Sequence, residues 1–367
     1  MNPTVITALD LPFPSPGGSV ELFLDLYTGQ HPRLPARAFM LAPDSTGLPP
    51  LTPAGLQLLC APGKSLTGYA YHRYVTLLRR ALTEAVDPSD AGVLHLQHLA
   101  FGATPALIRA FPNRPRIALV HGTDLLFAEA HPQQLTVLRQ AARAADTIVV
   151  PTGAMADRLL RLAPDTRRRK IEKIPWGIPD HLLSAPLPRS PSRSSSHLRI
   201  LYAGRLTPEK GFENLLAALP FTRSAELSIA TPRAEFHALR PRLHQLGAHV
   251  RYLGWLRRPQ LWKTFADHDV LVMPSTTLEA MGLVALEAQA CGLPVLHQPV
   301  PGLSEALGGT GLATDFTDPR VVASDLERLR TSPALLRSLR AAGLANAARF
   351  PLSATATTLA ELGRRLA

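Results

Sequence analysis

Apolar and polar positions along the chain fall into two series of short apolar runs separated by stretches with helical spacing. In the first series VITALD (5–10), VLHLQHL (93–99), RIALVHG (116–122) and TIVVP (147–151) are rich in branched residues and bounded by turn formers, which predicts buried strands. A Pro-rich stretch, 31–66, holds two further strand candidates, RAFML and LQLLC, and 67–86 reads as an amphipathic helix whose tyrosines serve the core in preference to a ligand cleft. The second series runs through RILYAG (199–204), ELSIATP (226–232), VRYLGW (250–255) and DVLVM (269–273), and the tail from 318 onward is helical. Strands alternating with helices predict an α/β fold with parallel sheets, whose ligands gather at the carboxyl ends of the strands. SAPLPRSPSRSSSH (184–197) has no apolar periodicity and reads as a linker between a domain at 1–183 and another at 198–351. No short-period repeat is present, so the recurrence reflects two similar domains.

Composition narrows the class. A length of 367 residues suits two domains, and 46% hydrophobic with 18% charged residues is globular. No apolar run reaches the roughly 18 residues of a membrane helix, and the N-terminus carries no basic segment followed by an apolar core, so the cytoplasm is expected. Cys60 and Cys291 are too far apart in sequence to suggest a disulfide framework or metal site. The net charge of +11 raises nucleic acid and anionic membranes as partners. The arginines are spread along the chain, their one tight run (Arg167-Arg168-Arg169-Lys170) reads as solvated surface, and no nucleic-acid-binding motif accompanies them. Nucleic acid is therefore excluded, and membrane contact is not favoured.

Several strand–loop–helix joins carry chemistry. Gly17-Gly18 lies between the first strand and a helix, but it does not fit G-x-G-x-x-G, which argues against a nicotinamide dehydrogenase. APGKS (61–65) resembles the end of a P-loop, yet Leu58 stands where the first glycine would be needed. His98, His121 and Asp124 fall at strand ends. Arg205 and Lys210, five apart after a strand, can face one anion, or are two unrelated surface cations. In PSTTLEAMGLVALEAQACGLP (274–294), Glu279 sits in a loop, Gly282 at a helix start and Glu287 about one and a half turns inside. Free N–H groups there attract phosphate, and a glycine allows its close approach. Two carboxylates flanking such a phosphate outline a nucleotide-sugar site; two solvated glutamates at an ordinary join remain the alternative.

The 274–294 stretch resembles the signature of the family 4 retaining glycosyltransferases, in which an acidic residue, a Phe-Gly pair and a second Glu follow Pro-Ser. Pro274-Ser275, Glu279, Gly282 and Glu287 match it, with Met281 in place of the usual Phe. LYAGRLTPEKGFENLL (201–216) matches the second signature, and the resemblance is dense over 198–308 and looser before it. It implies a GT-B fold, two facing doubly wound Rossmann-like domains with an interdomain cleft, the C-terminal segment 352–367 packing back on the first. By that resemblance Glu287 binds ribose, Arg205 and Lys210 the diphosphate, Glu279 the donor sugar, and the backbone at Met281-Gly282-Leu283 phosphate and sugar. Gly17 and Gly18 then lie near the donor's phosphates, His121 against the donor sugar, and Asp124 and His98 near the acceptor. The donor is a UDP-sugar, transfer is retaining, and no metal or other cofactor is expected; Asp267-His268-Asp269 matches D-x-D only superficially. Trp176 stands where the family often has asparagine, and ELSIATP replaces a glycine-rich turn.

For the acceptor, the stretch HLQHLAFGATPALIRAFPNRPRIALVHGTDLLFAE is similar to antibiotic-pathway enzymes that place N-acetylglucosamine or glucose on 2-deoxystreptamine. Glu21, Asp25, Asp124 and Glu129 are the candidate acidic partners of that polyamine. The alternatives are a phosphoinositol or lipid-linked acceptor at a membrane surface, or a non-catalytic protein that only binds a nucleotide-sugar.

Overall fold

The computed structural model describes residues 4–43, 51–87, 92–184, 197–222, 225–246 and 250–367, so the expected linker lies almost wholly outside the described residues. The chain divides into two compact units, Met1–Gly177 with Leu352–Ala367, and Ile178–Pro351. Residues 178–183, placed with the first domain by the position of the linker, belong to the second unit, where Ile178 donates its N–H to the Phe350 carbonyl (2.9 Å). The last helix, Leu352–Leu366, belongs to the first unit: Thr355 Oγ1 accepts from the Gly177 N–H (2.9 Å) and donates to the Pro175 carbonyl (2.8 Å).

The first unit is built on seven parallel strands, β1 (Val5–Pro12), β2 (Ala36–Leu41), β3 (Leu56–Leu59), β4 (Val93–Gln97), β5 (Arg116–Leu119), β6 (Thr147–Val150) and β7 (Ile171–Lys173), in the order β3-β2-β1-β4-β5-β6-β7. Val5 pairs with Ala36 on one side and Val93 on the other. Strand β4 is buried at every position, as expected for a strand covered by helices on both faces, and its two polar residues are hydrogen-bonded, His95 with Tyr27 and Gln97 with Thr7 and His121. The order reverses between β1 and β4, which opens a crevice at their carboxyl ends.

The second unit repeats the plan with six parallel strands, β8 (Leu198–Ala203), β9 (Ala225–Ala230), β10 (Val250–Tyr252), β11 (Val270–Met273), β12 (Val295–His297) and β13 (Leu312–Ala313), in the order β10-β9-β8-β11-β12-β13. Ile200, Val270, Val272 and Leu296 build its core against Leu215, Val322, Leu326 and Leu329 of the covering helices. The reversal lies between β8 and β11, so the loops after these two strands, 204–211 and 274–282, meet at one crevice.

Pro208 starts a single 3-10 turn, Pro208–Lys210, and the α-helix begins only at Phe212. Gly211 interrupts the two with φ +65°, and a Cβ there would fall 2.0 Å from the Pro274 carbonyl oxygen. The chain turns left-handed because the neighbouring loop leaves no room for a side chain.

Candidate functional site

In the second unit the sequence-predicted residues come together. Lys210 Nζ donates to Glu279 Oε1 at 2.5 Å, and Ser275 Oγ donates to the same oxygen at 2.7 Å. Their loops are stitched by backbone: Thr276 N–H donates to Glu209 O (2.9 Å) and Glu279 N–H to Pro301 O (3.3 Å). Arg205 leaves β8 beside them, half-buried. Among the described residues its guanidinium has no hydrogen-bond or ion-pair partner, so it is available to an anion. Its backbone is pinned instead. Tyr202 Oη donates to the Arg205 carbonyl at 2.6 Å, and Glu235 Oε2 accepts from the Leu206 N–H at 2.5 Å. Burial, reinforced by the Glu279 charge, pushes the Tyr202 phenol up, so it remains a donor.

Met281 is buried, and Gly282 at φ +71° opens the helix Leu283–Ala290, whose free N–H groups point out of its start. A Cβ on Gly282 would meet Leu303 Cδ1 at 2.6 Å, so the chain needs glycine here for packing as well as conformation. Glu287, one turn on, is held by two residues the sequence reading did not single out. Arg258 donates from Nε (3.0 Å) and Nη2 (2.5 Å) to Oε1, and Trp262 Nε1 donates to Oε2 (2.8 Å). The one local signal was their i, i+4 spacing on one helix, Arg258–Ala266. Asp269 forms a bidentate pair with Arg199 (2.8 and 3.1 Å), a structural use of the D-x-D-like match.

In the first unit Gly17 adopts φ +147° and caps the helix Gly18–Tyr27, so only glycine fits that join. Glu21 and Asp25 lie half-buried on this helix. At the end of β4 the turn 98–102 is strained, with His98 (φ +70°) and Phe101 (φ +72°) both left-handed. Buried side chains hold it open. Asp124 Oδ2 accepts from Leu99 N–H (2.8 Å), Gln134 Oε1 from Phe101 N–H (2.8 Å) and Asp10 Oδ2 from Gly102 N–H (2.8 Å). Such over-determined strain marks functional turns.

Asp124, expected near the acceptor, is fully buried and spends its other oxygen on the His121 N–H (3.3 Å). Glu129 is ion-paired with Arg158. His98 is buried, and its Nδ1 has no hydrogen-bond partner among the described residues. Its ring lies 4.7 Å from that of His121. His121 itself is half-buried, stacks at 5.7 Å on Trp176 and bonds through Nε2 to Gln97 Oε1 (2.8 Å). Gln97 Nε2 donates to Thr7 Oγ1 (3.0 Å), which orients the amide and leaves its Oε1 to accept. Neutral His121 therefore carries its proton on Nε2 and keeps Nδ1 as an acceptor.

Burial pushes His95, His98 and His121 down to about 3, with His98 adding to the effect at His121. The unfolded chain then binds more protons than the folded one between about pH 3 and the ordinary histidine value near 6.5. Stability from these groups is complete above about 6.5 and is lost as pH falls. Denaturant melts at pH 7 and pH 5 are expected to show a lower midpoint at pH 5, with a shallower slope in His95→Gln. A flat profile would refute neutral burial.

The two units match two family models. The second matches one described as "Glycosyl transferases group 1" over residues 197–332, and the first "Glycosyltransferase Family 4" over residues 25–182. D-inositol 3-phosphate glycosyltransferase 1 of Catenulispora acidiphila is 30% identical over 296 residues, 72% of this chain and 69% of its own. The D-inositol 3-phosphate glycosyltransferase of Thermobispora bispora is 32% identical over 313 residues, 76% and 72% of the two chains. This chain belongs to the group 1, family 4 glycosyltransferases. The glycosyltransferase also superposes on sucrose-phosphate synthase from Thermosynechococcus elongatus with a TM-score of 0.81 at 19% identity, covering 99% of both chains. Anabaena Alr3699/HepE in complex with UDP and glucose gives 0.76 at 17% identity, over 99% of this chain and 100% of that one. These likenesses establish the GT-B fold. The relatives in hand do not carry the narrower resemblance to 2-deoxystreptamine transferases, and two of its four acidic partners, Asp124 and Glu129, are already engaged.

Proposed function

We propose that this glycosyltransferase moves a hexose from a UDP-sugar, with retention and without a metal, to a phosphorylated polyol of the inositol phosphate class. The observation that carries the donor side is the pairing of Lys210 with Glu279 where the loops after β8 and β11 meet, with Arg205 on the same loop as Lys210. As the glycosidic bond breaks, negative charge gathers on the departing diphosphate. Two cations fixed beside it lower the transition state more than the ground state. Lys210 has two further N–H donors beyond the one on Glu279, and the free guanidinium of Arg205 supplies the second grip. The other Glu279 oxygen takes a sugar hydroxyl, and the N–H groups opening at Leu283 take phosphate. The Glu279 carboxylate at this crevice is tied to Lys210 and to the Ser275 hydroxyl, which makes it a weak nucleophile and suits a same-face displacement: the leaving phosphate accepts the acceptor's proton as its hydroxyl attacks the anomeric carbon.

On the acceptor side, the names of the relatives and the +11 net charge favour an anion over a polyamine. Lys64, beside Asp10 at 3.8 Å on the first sheet's carboxyl edge, supplies a cation there, while Asp124 and Glu129, two of the acidic residues a polyamine would need, are engaged. Purified protein given UDP-glucose or UDP-N-acetylglucosamine is expected to release UDP slowly alone. Release should rise at least about tenfold with inositol phosphate and stay at baseline with 2-deoxystreptamine. Nuclear magnetic resonance of the product should show the donor's anomeric configuration. Stimulation by 2-deoxystreptamine alone would restore the aminoglycoside reading, and no UDP release under any condition would make the protein a binder.

A further inference from the structure

Five aromatic rings run in unbroken contact from the carboxyl edge of the first sheet onto the helix that follows β5. His121 lies 4.7 Å from His98, His98 5.3 Å from Phe101, Phe101 5.3 Å from Phe127 and Phe127 3.8 Å from His131. His98 is buried, whereas Phe101, in the turn after β4, and Phe127, on the helix Thr123–Ala130, are half-buried. Core packing alone would draw both apolar rings inward. Phe101 is instead held at φ +72°, a region that a bulky side chain seldom adopts. Both of its backbone polar groups are gripped by distant side chains. Gln134 Oε1 accepts from its N–H at 2.8 Å, and Tyr71 Oη donates to its carbonyl at 2.9 Å. Gln134 is fully buried, and its Nε2 donates to the Leu66 carbonyl at 2.7 Å, which fixes the amide at both ends. His131 stacks on one face of Phe127, 13° from parallel, and its Nδ1 donates to the Phe127 carbonyl at 2.8 Å. The fold thus tolerates strain to keep two benzene rings partly open at an edge where ligands gather.

Lys64 adds a charge beside this ledge. Its ammonium lies 3.8 Å from Asp10 Oδ2, which accepts from the N–H of Gly102, the residue after Phe101. An aromatic face is negative at its centre and attracts C–H bonds. A cyclitol or sugar ring offers such bonds across a broad face and hydroxyls around its rim, whereas an open-chain polyol has no such face. An apolar aglycone would suit the rings but would leave Lys64 without a purpose. Ledge and cation together fit a ring that carries a phosphate.

We infer that Phe101 and Phe127 form an acceptor subsite that stacks on the C–H face of a phosphorylated ring, so that the enzyme selects cyclic over open-chain polyol phosphates. This rests on the proposed acceptor class and narrows it.

The test compares inositol phosphate with sorbitol phosphate as acceptors for the full chain, following UDP release from UDP-glucose or UDP-N-acetylglucosamine. The wild type is expected to favour inositol phosphate about tenfold or more in kcat/KM, chiefly through KM. Phe127→Leu should bring that ratio within about threefold while donor KM stays within about twofold. Phe101→Gly, which keeps the left-handed turn without strain, should do the same. Phe127→Tyr keeps a ring and should keep the ratio. Saturation-transfer nuclear magnetic resonance in the presence of UDP reads binding without turnover. The ring protons of inositol phosphate should be saturated by the wild type and by Phe127→Tyr, and far less by Phe127→Leu. Each kinetic readout is a ratio between acceptors on one preparation, so a partly misfolded variant still reports. A ratio unchanged in both Phe127→Leu and Phe101→Gly, or equal use of the two acceptors by the wild type, would overturn the inference and leave the proposed acceptor class standing. If neither phosphate were used or bound, the acceptor class would fall and the inference with it.

Discussion

Lys210→Ala is expected to lower kcat about 100-fold or more with donor KM changed only a few fold, as when a donor to a developing oxyanion is removed. The substitution does two things, because Lys210 also neutralises Glu279 at 2.5 Å, a carboxylate of which 8% is exposed. Leaving that charge with only the Ser275 hydroxyl destabilises the loop, the familiar result of removing one partner from a buried pair. The double variant Lys210→Ala/Glu279→Gln separates the two effects. It should recover stability, since the lone charge is gone, and should not recover kcat, since the diphosphate still lacks its cation. A double variant that regained most of the wild-type rate would show that Lys210 serves only to hold Glu279, and the cationic grip on the leaving group would have to be given up.

The second large effect is geometric. Gly302→Ala would bring a Cβ to 1.8 Å from the Glu279 carbonyl oxygen, at a backbone φ of +85° that disfavours any L side chain. Gly211→Ala would do the same from the other side, 2.0 Å from the Pro274 carbonyl. These glycines are where loops 204–211 and 300–302 press against the 274–282 loop, and a methyl group at either must push Glu279 out of register with Lys210. Each substitution is expected to cost about 2 kcal/mol or more and to weaken donor binding at least about tenfold. Gly309→Ala is the control, with a similar φ of +80° but nothing within 4 Å of the added carbon. It should lose only the conformational part and bind donor normally. If Gly302→Ala and Gly309→Ala behaved alike in both measurements, close approach of the loops would not be what shapes the site.

Much of this was written locally. Branched apolar runs such as DVLVM and RILYA are strands because they fit a doubly covered sheet, and Gly292 with Pro294 stops the helix that Glu287 rides on. The spacing of Glu279, Gly282 and Glu287 follows from that strand–loop–helix join, so the site was legible as soon as the join was. Backbone conformation depends on neighbours a few residues away, and that information is present in any window of the chain.

Partner choice is not local, and there the tertiary structure decided. Arg258 and Trp262 reach Glu287 across 29 and 25 positions, and no periodicity marks which carboxylate they will find. The family resemblance puts Asp124 near the acceptor, and the folded chain spends its carboxylate on the N–H groups of Leu99 and His121. The helix after Lys210 starts late because Pro274, 63 positions on, occupies the space a side chain at 211 would need. Sequence determined which elements form and at which sheet edge the charges emerge. Packing between distant loops determined which charges are free to meet a ligand, because a buried polar group must be satisfied by whatever the fold brings beside it.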